Sequence, residues 1–243
     1  MACNGVFFDL YGTLLISSDM RAAWADWGSA LYRFLTERGL ALSEEEFAPF
    51  RHSLFDRPVP SLNADGMTLY ERQLQALCLD LGLSLSRENL ANLATTTIGV
   101  WQQRIELDQE APAVLRTLQR DKKLALISNF DHPPHVRALL ADLHLLPFFD
   151  AITISGEVGV KKPDPRIFAF ALAATSLRPE EVVYVGDSIE DVEGARAAGL
   201  QPIHIQRHTA YLPPESDQPG NDDENDPFAG VHTIASLCEL LAL

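Results

Sequence analysis

The chain has 243 residues, of which 47% are apolar and 22% charged, the makeup of a soluble globular protein with room for one sizeable core and a smaller appended unit. A formal net charge of −15 disfavours nucleic acid and anionic membrane surfaces as partners. No basic stretch leads into an apolar segment at the start and no apolar run reaches the ~18 residues of a membrane span, so neither a signal peptide nor a membrane anchor is expected and the expected location is cytoplasmic. Cys3, Cys78 and Cys238 are far apart and show no CxxC spacing. They are expected to be reduced thiols, mostly buried in the core.

Residues 3–8 form the first expected strand, with Val6, Phe7 and Phe8 as a short buried run that ends at Asp9. Gly12 then allows a sharp turn. Residues 15–109 read as all-helical. Ala23, Trp24, Trp27, Leu31 and Leu35 make one apolar face of a helix over 20–38, which Gly39 stops. Ser43 and Glu46 form a capping box for a second helix. Pro58, Pro60 and Gly66 punctuate a loop. A third helix is expected over 67–81, and a fourth from Ser86 to about Trp101.

After Pro112 the pattern changes to alternating strand and helix. Strands are expected at 124–127, 151–154, 182–185 and 202–205, with helices at 113–120, 136–143, 165–175 and 192–198 between them. Apolar strands in such units imply a parallel sheet covered on both faces. Residues 208–230 are polar and rich in proline, as expected of a solvated loop. Ser236 and Glu239 cap a last helix.

Four chemical signals fall at strand ends: Asp9, Ser128 with Asn129, Lys162, and Asp187 with Asp191. A parallel sheet gathers such ends in one crevice. Two facing carboxylates, Asp9 and Asp187, require a hard cation between them, and Mg2+ takes one or two carboxylates with water and a substrate oxygen. Lys162 and Ser128 suit an added phosphoryl charge. Asp9 can then attack as a nucleophile and form a covalent intermediate that water hydrolyses.

In this order the set resembles the haloacid dehalogenase superfamily over nearly the whole chain. The resemblance implies an α/β fold, a Rossmann-like parallel sheet of strand order 5-4-1-2-3, with a helical-bundle cap inserted after the first motif. On that pattern residues 1–14 and 110–243 are the core and 15–109 the cap. It implies catalytic roles for Asp9, Ser128 and Lys162, and a Mg2+ held by Asp9, Asp187 and the backbone carbonyl of Tyr11. Asp191 and Ser188 give support, and Tyr11, Gly12, Thr13 and Asn129 meet a small anionic substrate. The protein is expected to be a monomer or homodimer.

One residue departs from the pattern. Phosphatases of the family usually carry a second aspartate, as acid and base, where this chain has Tyr11. Tyr11 and Asn129 are similar to the 2-haloacid dehalogenases, which use no metal, whereas Gly186-Asp187-Ser188 with Asp191 is the metal-binding form. The expected activity is therefore a Mg2+-dependent phosphatase acting on a small phosphorylated metabolite. The alternatives are a 2-haloacid dehalogenase and a catalytically weak binding protein. Asp131 and His132 are the candidates to replace the lost acid.

Overall fold

The computed structural model describes residues 3–56, 65–206 and 228–242. Strand β1 (Gly5–Phe8) is followed by the two-residue β2 (Leu15–Ile16) and helices α1 (Met20–Thr36), α2 (Glu44–His52), α3 (Leu69–Asp80) and α4 (Arg87–Gln102). Then come β3 (Glu106–Leu107), α5 (Ala111–Leu118), β4 (Lys123–Ser128), α6 (Pro133–Asp142), β5 (Ala151–Ile154), α7 (Ser155–Val158) and α8 (Arg166–Thr175). The chain continues through β6 (Val182–Gly186), α9 (Ile189–Ala197), β7 (Gln201–Ile205), β8 (His232–Ile234) and a 3₁₀ turn, Leu237–Ala242.

The large sheet is parallel throughout, in the order β5-β4-β1-β6-β7-β8. Numbered by their order in this sheet, the first five strands lie in the expected 5-4-1-2-3 arrangement, and β8 adds a sixth at the edge. Three residues are too few to show a strand's alternation, so β8 carried no signal. The last segment is a 3₁₀ turn rather than the expected helix, although the Glu239 carboxylate accepts from the amides of Ala235 and Ser236 as the capping pattern implied. The first helical region is likewise not all helix. β2 pairs antiparallel with β3, tying the two ends of the insert together with two residues on each side. Both polar-loop residues 207–227 and the prolines Pro58 and Pro60 lie outside the described residues.

Register and alternation explain how the sheet is covered. Phe7, Ala125 and Tyr184 are neighbours across three strands and face one side, with Ile167, Phe168 and Ala171 of α8. Phe8, Leu126 and Val185 face the other, with Val114 and Leu115 of α5 and Val136 and Leu140 of α6. Both faces are apolar, so each strand is a continuous buried run.

In the insert, α1 packs along α4, and α3 along α4. Ala23, Trp27, Leu31 and Leu35 are buried on the predicted face of α1. The Trp27 indole donates to Tyr70 Oη at 2.9 Å, and that hydroxyl meets Thr97 Oγ1 at 2.8 Å, so three helices share one buried polar chain. Gly39, at φ +99°, ends α1 in the left-handed region, with Leu40 N–H returning to Leu35 O. Capping boxes open α2 (Ser43 with Glu46) and α3 (Thr68 with Glu71). The cysteines are all free thiols. Only Cys78 is buried; Cys238 is exposed and Cys3 half-buried, a correction to the expected core placement. No described helix is long and apolar enough to cross a membrane.

Candidate active site

The carboxyl ends of β1, β4 and β6 place the expected residues together. Asp9 follows β1, with its N–H held by Val185 O at 2.9 Å. Ser128 closes β4, and Asp187 follows β6. Asp191 sits in the first turn of α9, where the capping box with Ser188 fixes it: Ser188 Oγ donates to Asp191 Oδ2 at 2.7 Å. Carboxylate oxygens of Asp9, Asp187 and Asp191 lie within 4.8 Å of one another.

Lys162 reaches into this cluster from the loop between α7 and α8. Its ammonium donates to Asp9 Oδ1 at 2.5 Å and Asp191 Oδ1 at 2.6 Å, with Tyr184 Oη at 3.1 Å and Ile127 O at 3.3 Å. An ammonium has three protons, so these partners occupy it fully. Burial works against its charge, but Asp191 and Asp9 outweigh burial and raise the Lys162 pKa. Burial likewise pushes Asp191 up, yet Lys162 and the Ser188 bonds hold its carboxyl below the ordinary value.

The charge balance is incomplete. Three buried or half-buried carboxylates share one lysine, and no salt bridge reaches Asp187 among the described residues. Burial and the charges of Asp9 and Asp191 raise the Asp187 pKa to about 8. Burial raises Asp9 to about 7, opposed by Lys162 and reinforced by Asp191. An all-oxygen donor set that repels itself fits a small hard cation. Gly12 makes the approach of Asp187 possible: a Cβ there would stand 2.1 Å from Asp187 Oδ2, and its φ of +90° excludes other residues without strain. The Ser128 hydroxyl is fully buried and has no hydrogen-bond partner. An unmet donor at a strand end is a place for a ligand oxygen.

The remaining expected residues are placed as follows. Thr13 is fully buried beside the turn. Asn129 exchanges both amide bonds with the Lys162 backbone, accepting from its N–H at 2.9 Å and donating to its C=O at 3.0 Å. It thereby fixes the lysine loop. Tyr11 turns its side chain toward the insert, where its hydroxyl donates to Gln102 Oε1 at 3.0 Å and its ring stacks on Phe130 at 5.2 Å. Burial raises the Asp131 carboxyl, which Gln73 hydrogen-bonds and Lys161 opposes. His132 pairs through Nδ1 with Thr68 Oγ1 at 2.9 Å.

Two features had no sequence signal. Tyr184 lies beneath Lys162 as one more apolar-looking strand residue. A cavity of about 550 Å³ opens between insert and sheet, with Tyr11, Trp24, Trp101, Phe130 and Asp131 on its walls. Its walls come from seven separate stretches of chain, so no local pattern announces it.

A family model described as haloacid dehalogenase-like hydrolase matches residues 3–199. A phosphoserine phosphatase of Thermus thermophilus is 40% identical over 117 residues, 47% of this chain and 47% of that protein. The chain thus spans about half the length of that curated relative. The fold is shared with a phosphatase of the same superfamily from Thermococcus onnurineus (21% identity, TM-score 0.64, 100% of this chain and 97% of that one). It is shared equally with a 2-haloacid dehalogenase from Pseudomonas syringae (23% identity, TM-score 0.67, 100% and 97%).

Proposed function

Since the chain belongs to the haloacid dehalogenase-like hydrolases, we propose that it is a Mg2+-dependent phosphatase of small phosphorylated molecules, with Asp9 as nucleophile. The observation that carries this reading is the acidic cluster. Asp9, Asp187 and Asp191 converge with one lysine among them, an arrangement that a divalent cation and a phosphoryl group complete. The name of the Thermus relative adds support. The division into a core of 1–14 and 110–243 and a cap of 15–109 belongs to the same proposal. The cavity between insert and sheet is where that division would bring substrate.

In this mechanism Lys162 holds Asp9 Oδ1 and so aims the other oxygen at phosphorus. Asp9 forms a bond to phosphorus as the ester oxygen departs, giving an acyl phosphate on Asp9. Ser128 donates its unpartnered hydroxyl to a phosphoryl oxygen. Tyr11 is spent on Gln102 and offers no acid. Asp131, raised by burial on the cavity wall, supplies the proton to the departing oxygen and then takes one from the water that hydrolyses the acyl phosphate. Asp9, Asp187 and the Tyr11 carbonyl would hold Mg2+, which neutralises phosphoryl charge when bound.

Tyr11 in place of the aspartate favours a second reading, dehalogenation of a 2-haloacid, whose halide needs no proton. The convergence of Asp187 with Asp9 and Asp191 around one lysine weighs against it. Phosphate release from p-nitrophenyl phosphate, lost with EDTA and with Asp9→Asn, is the expected result. Chloride release from 2-chloropropionate in EDTA, with no phosphatase activity, would replace the first reading by the second.

A further inference from the structure

The cavity differs from what a small polar phosphate ester needs. Trp24, Trp27, Phe55, Tyr70, Trp101 and Phe130 line it as a nearly continuous aromatic wall. Trp24 stands 5.6 Å from Trp27, 5.8 Å from Phe55 and 5.7 Å from Trp101, centre to centre. At about 550 Å³ it far exceeds a serine or glycerol fragment. It adjoins the acidic cluster through chain neighbours: Tyr11 lies two residues past Asp9, Asn129 follows Ser128, and Lys161 precedes Lys162.

The aromatic wall selects a large planar apolar body.

Resting on the phosphatase reading above, we infer that the substrate is a phosphate monoester whose alcohol carries a fused or extended aromatic ring, seated against Trp24 and Trp101. Asp9 takes the phosphoryl group, and the aromatic alcohol leaves with the proton from Asp131. The preference is set by the insert and is independent of which acid protonates the leaving oxygen.

The test compares esters with similar primary-alkyl leaving groups: 2-(2-naphthyl)ethyl phosphate, ethyl phosphate and O-phosphoserine. The naphthyl ester is expected to exceed ethyl phosphate in kcat/KM by about 100-fold, the scale of one buried fused ring. Trp24→Leu, which removes one ring of the wall, is expected to reduce that preference about tenfold. Trp101→Leu is the parallel variant if Trp24→Leu does not fold. Ethyl phosphate or O-phosphoserine turned over as well as the naphthyl ester overturns the inference and leaves the phosphatase reading standing. If no ester, p-nitrophenyl phosphate included, releases phosphate, the phosphatase reading fails. The cavity is then judged by binding of 2-(2-naphthyl)ethanol to the intact protein, read by tryptophan fluorescence. Saturable quenching supports an aromatic ligand, and its absence up to the solubility limit overturns it.

Discussion

The Tyr11 hydroxyl donates to Gln102 Oε1 at 3.0 Å, across 91 residues of chain. The same oxygen lies 3.1 Å from His135 Nε2. The residue two places beyond Asp9 is thus built into the joint between the insert and the sheet. Its phenol is a poor acid at neutral pH and is turned toward the end of α4.

That joint has a measurable energy. Tyr11→Phe removes one bond and is expected to cost about 1 kcal/mol in urea denaturation. Gln102→Leu removes the acceptor of both Tyr11 and His135 and is expected to cost about 2 kcal/mol. Equal costs for the two variants would contradict a shared acceptor.

Asp131→Asn separates chemistry from binding. If Asp131 protonates the leaving oxygen, alkyl phosphates lose roughly 100-fold in kcat, while p-nitrophenyl phosphate, whose leaving group needs no proton, changes little. A uniform loss across both esters would remove Asp131 from that role.

Lys162 is the single cation of the cluster, 2.5 Å from Asp9 and 2.6 Å from Asp191, with all three groups almost wholly buried. Lys162→Met leaves buried carboxylates without their counter-charge and is expected to destabilise by about 3–5 kcal/mol with loss of turnover. Lowering the pH, which protonates the carboxylates, should recover part of the stability of this variant. Denaturation midpoints at two pH values check both statements.

Adding Mg2+ is expected to raise the melting temperature, since a ligand of the native state at 100-fold over its Kd adds about 2.7 kcal/mol. Asp187→Asn should remove the response. Gly12→Ala should also remove it, because a Cβ 2.1 Å from Asp187 Oδ2 at φ +90° displaces that carboxylate. A full Mg2+ shift in Asp187→Asn would place the ion elsewhere.

His135 carries the acid sensitivity of the joint. Burial, with a smaller contribution from His132, lowers its pKa from 6.5 to about 4. Between those values the unfolded chain binds this proton and the folded one does not, so the His135 contribution to stability is lost as pH drops from 6.5 toward 4, against the opposite contribution of the raised Asp9 and Asp187. His135→Gln, which keeps an amide donor for Gln102, should therefore gain stability at about pH 4.5 relative to pH 6.5 when compared with the unsubstituted chain. An unchanged slope would assign the acid loss to other groups.

Much of the site was legible locally. Val6 to Phe8 and Val182 to Val185 are apolar runs that end in Asp9 and in Gly186-Asp187, and a buried strand followed by a polar residue needs no distant information to be recognised. Ser128, the last residue of β4, follows from the same reasoning, whereas Lys162 stands beyond α7 and was expected from the family pattern. The short ribbon between β2 and β3, and the strand β8, were not legible, because two or three residues carry no period.

The sequence by itself determined the fold class, the five main strands and the residue types at their ends, because burial pattern and turn chemistry are properties of neighbouring residues; the order of the strands in the sheet was expected from the family resemblance. Only the tertiary structure decided that Lys162 spends its protons on Asp9 and Asp191 over Tyr184, that Asn129 anchors the lysine loop, and that Tyr11 belongs to an aromatic wall. Those facts are contacts between residues 22 to 153 positions apart. They follow from how sheet and insert close on each other, and no period along the chain records them.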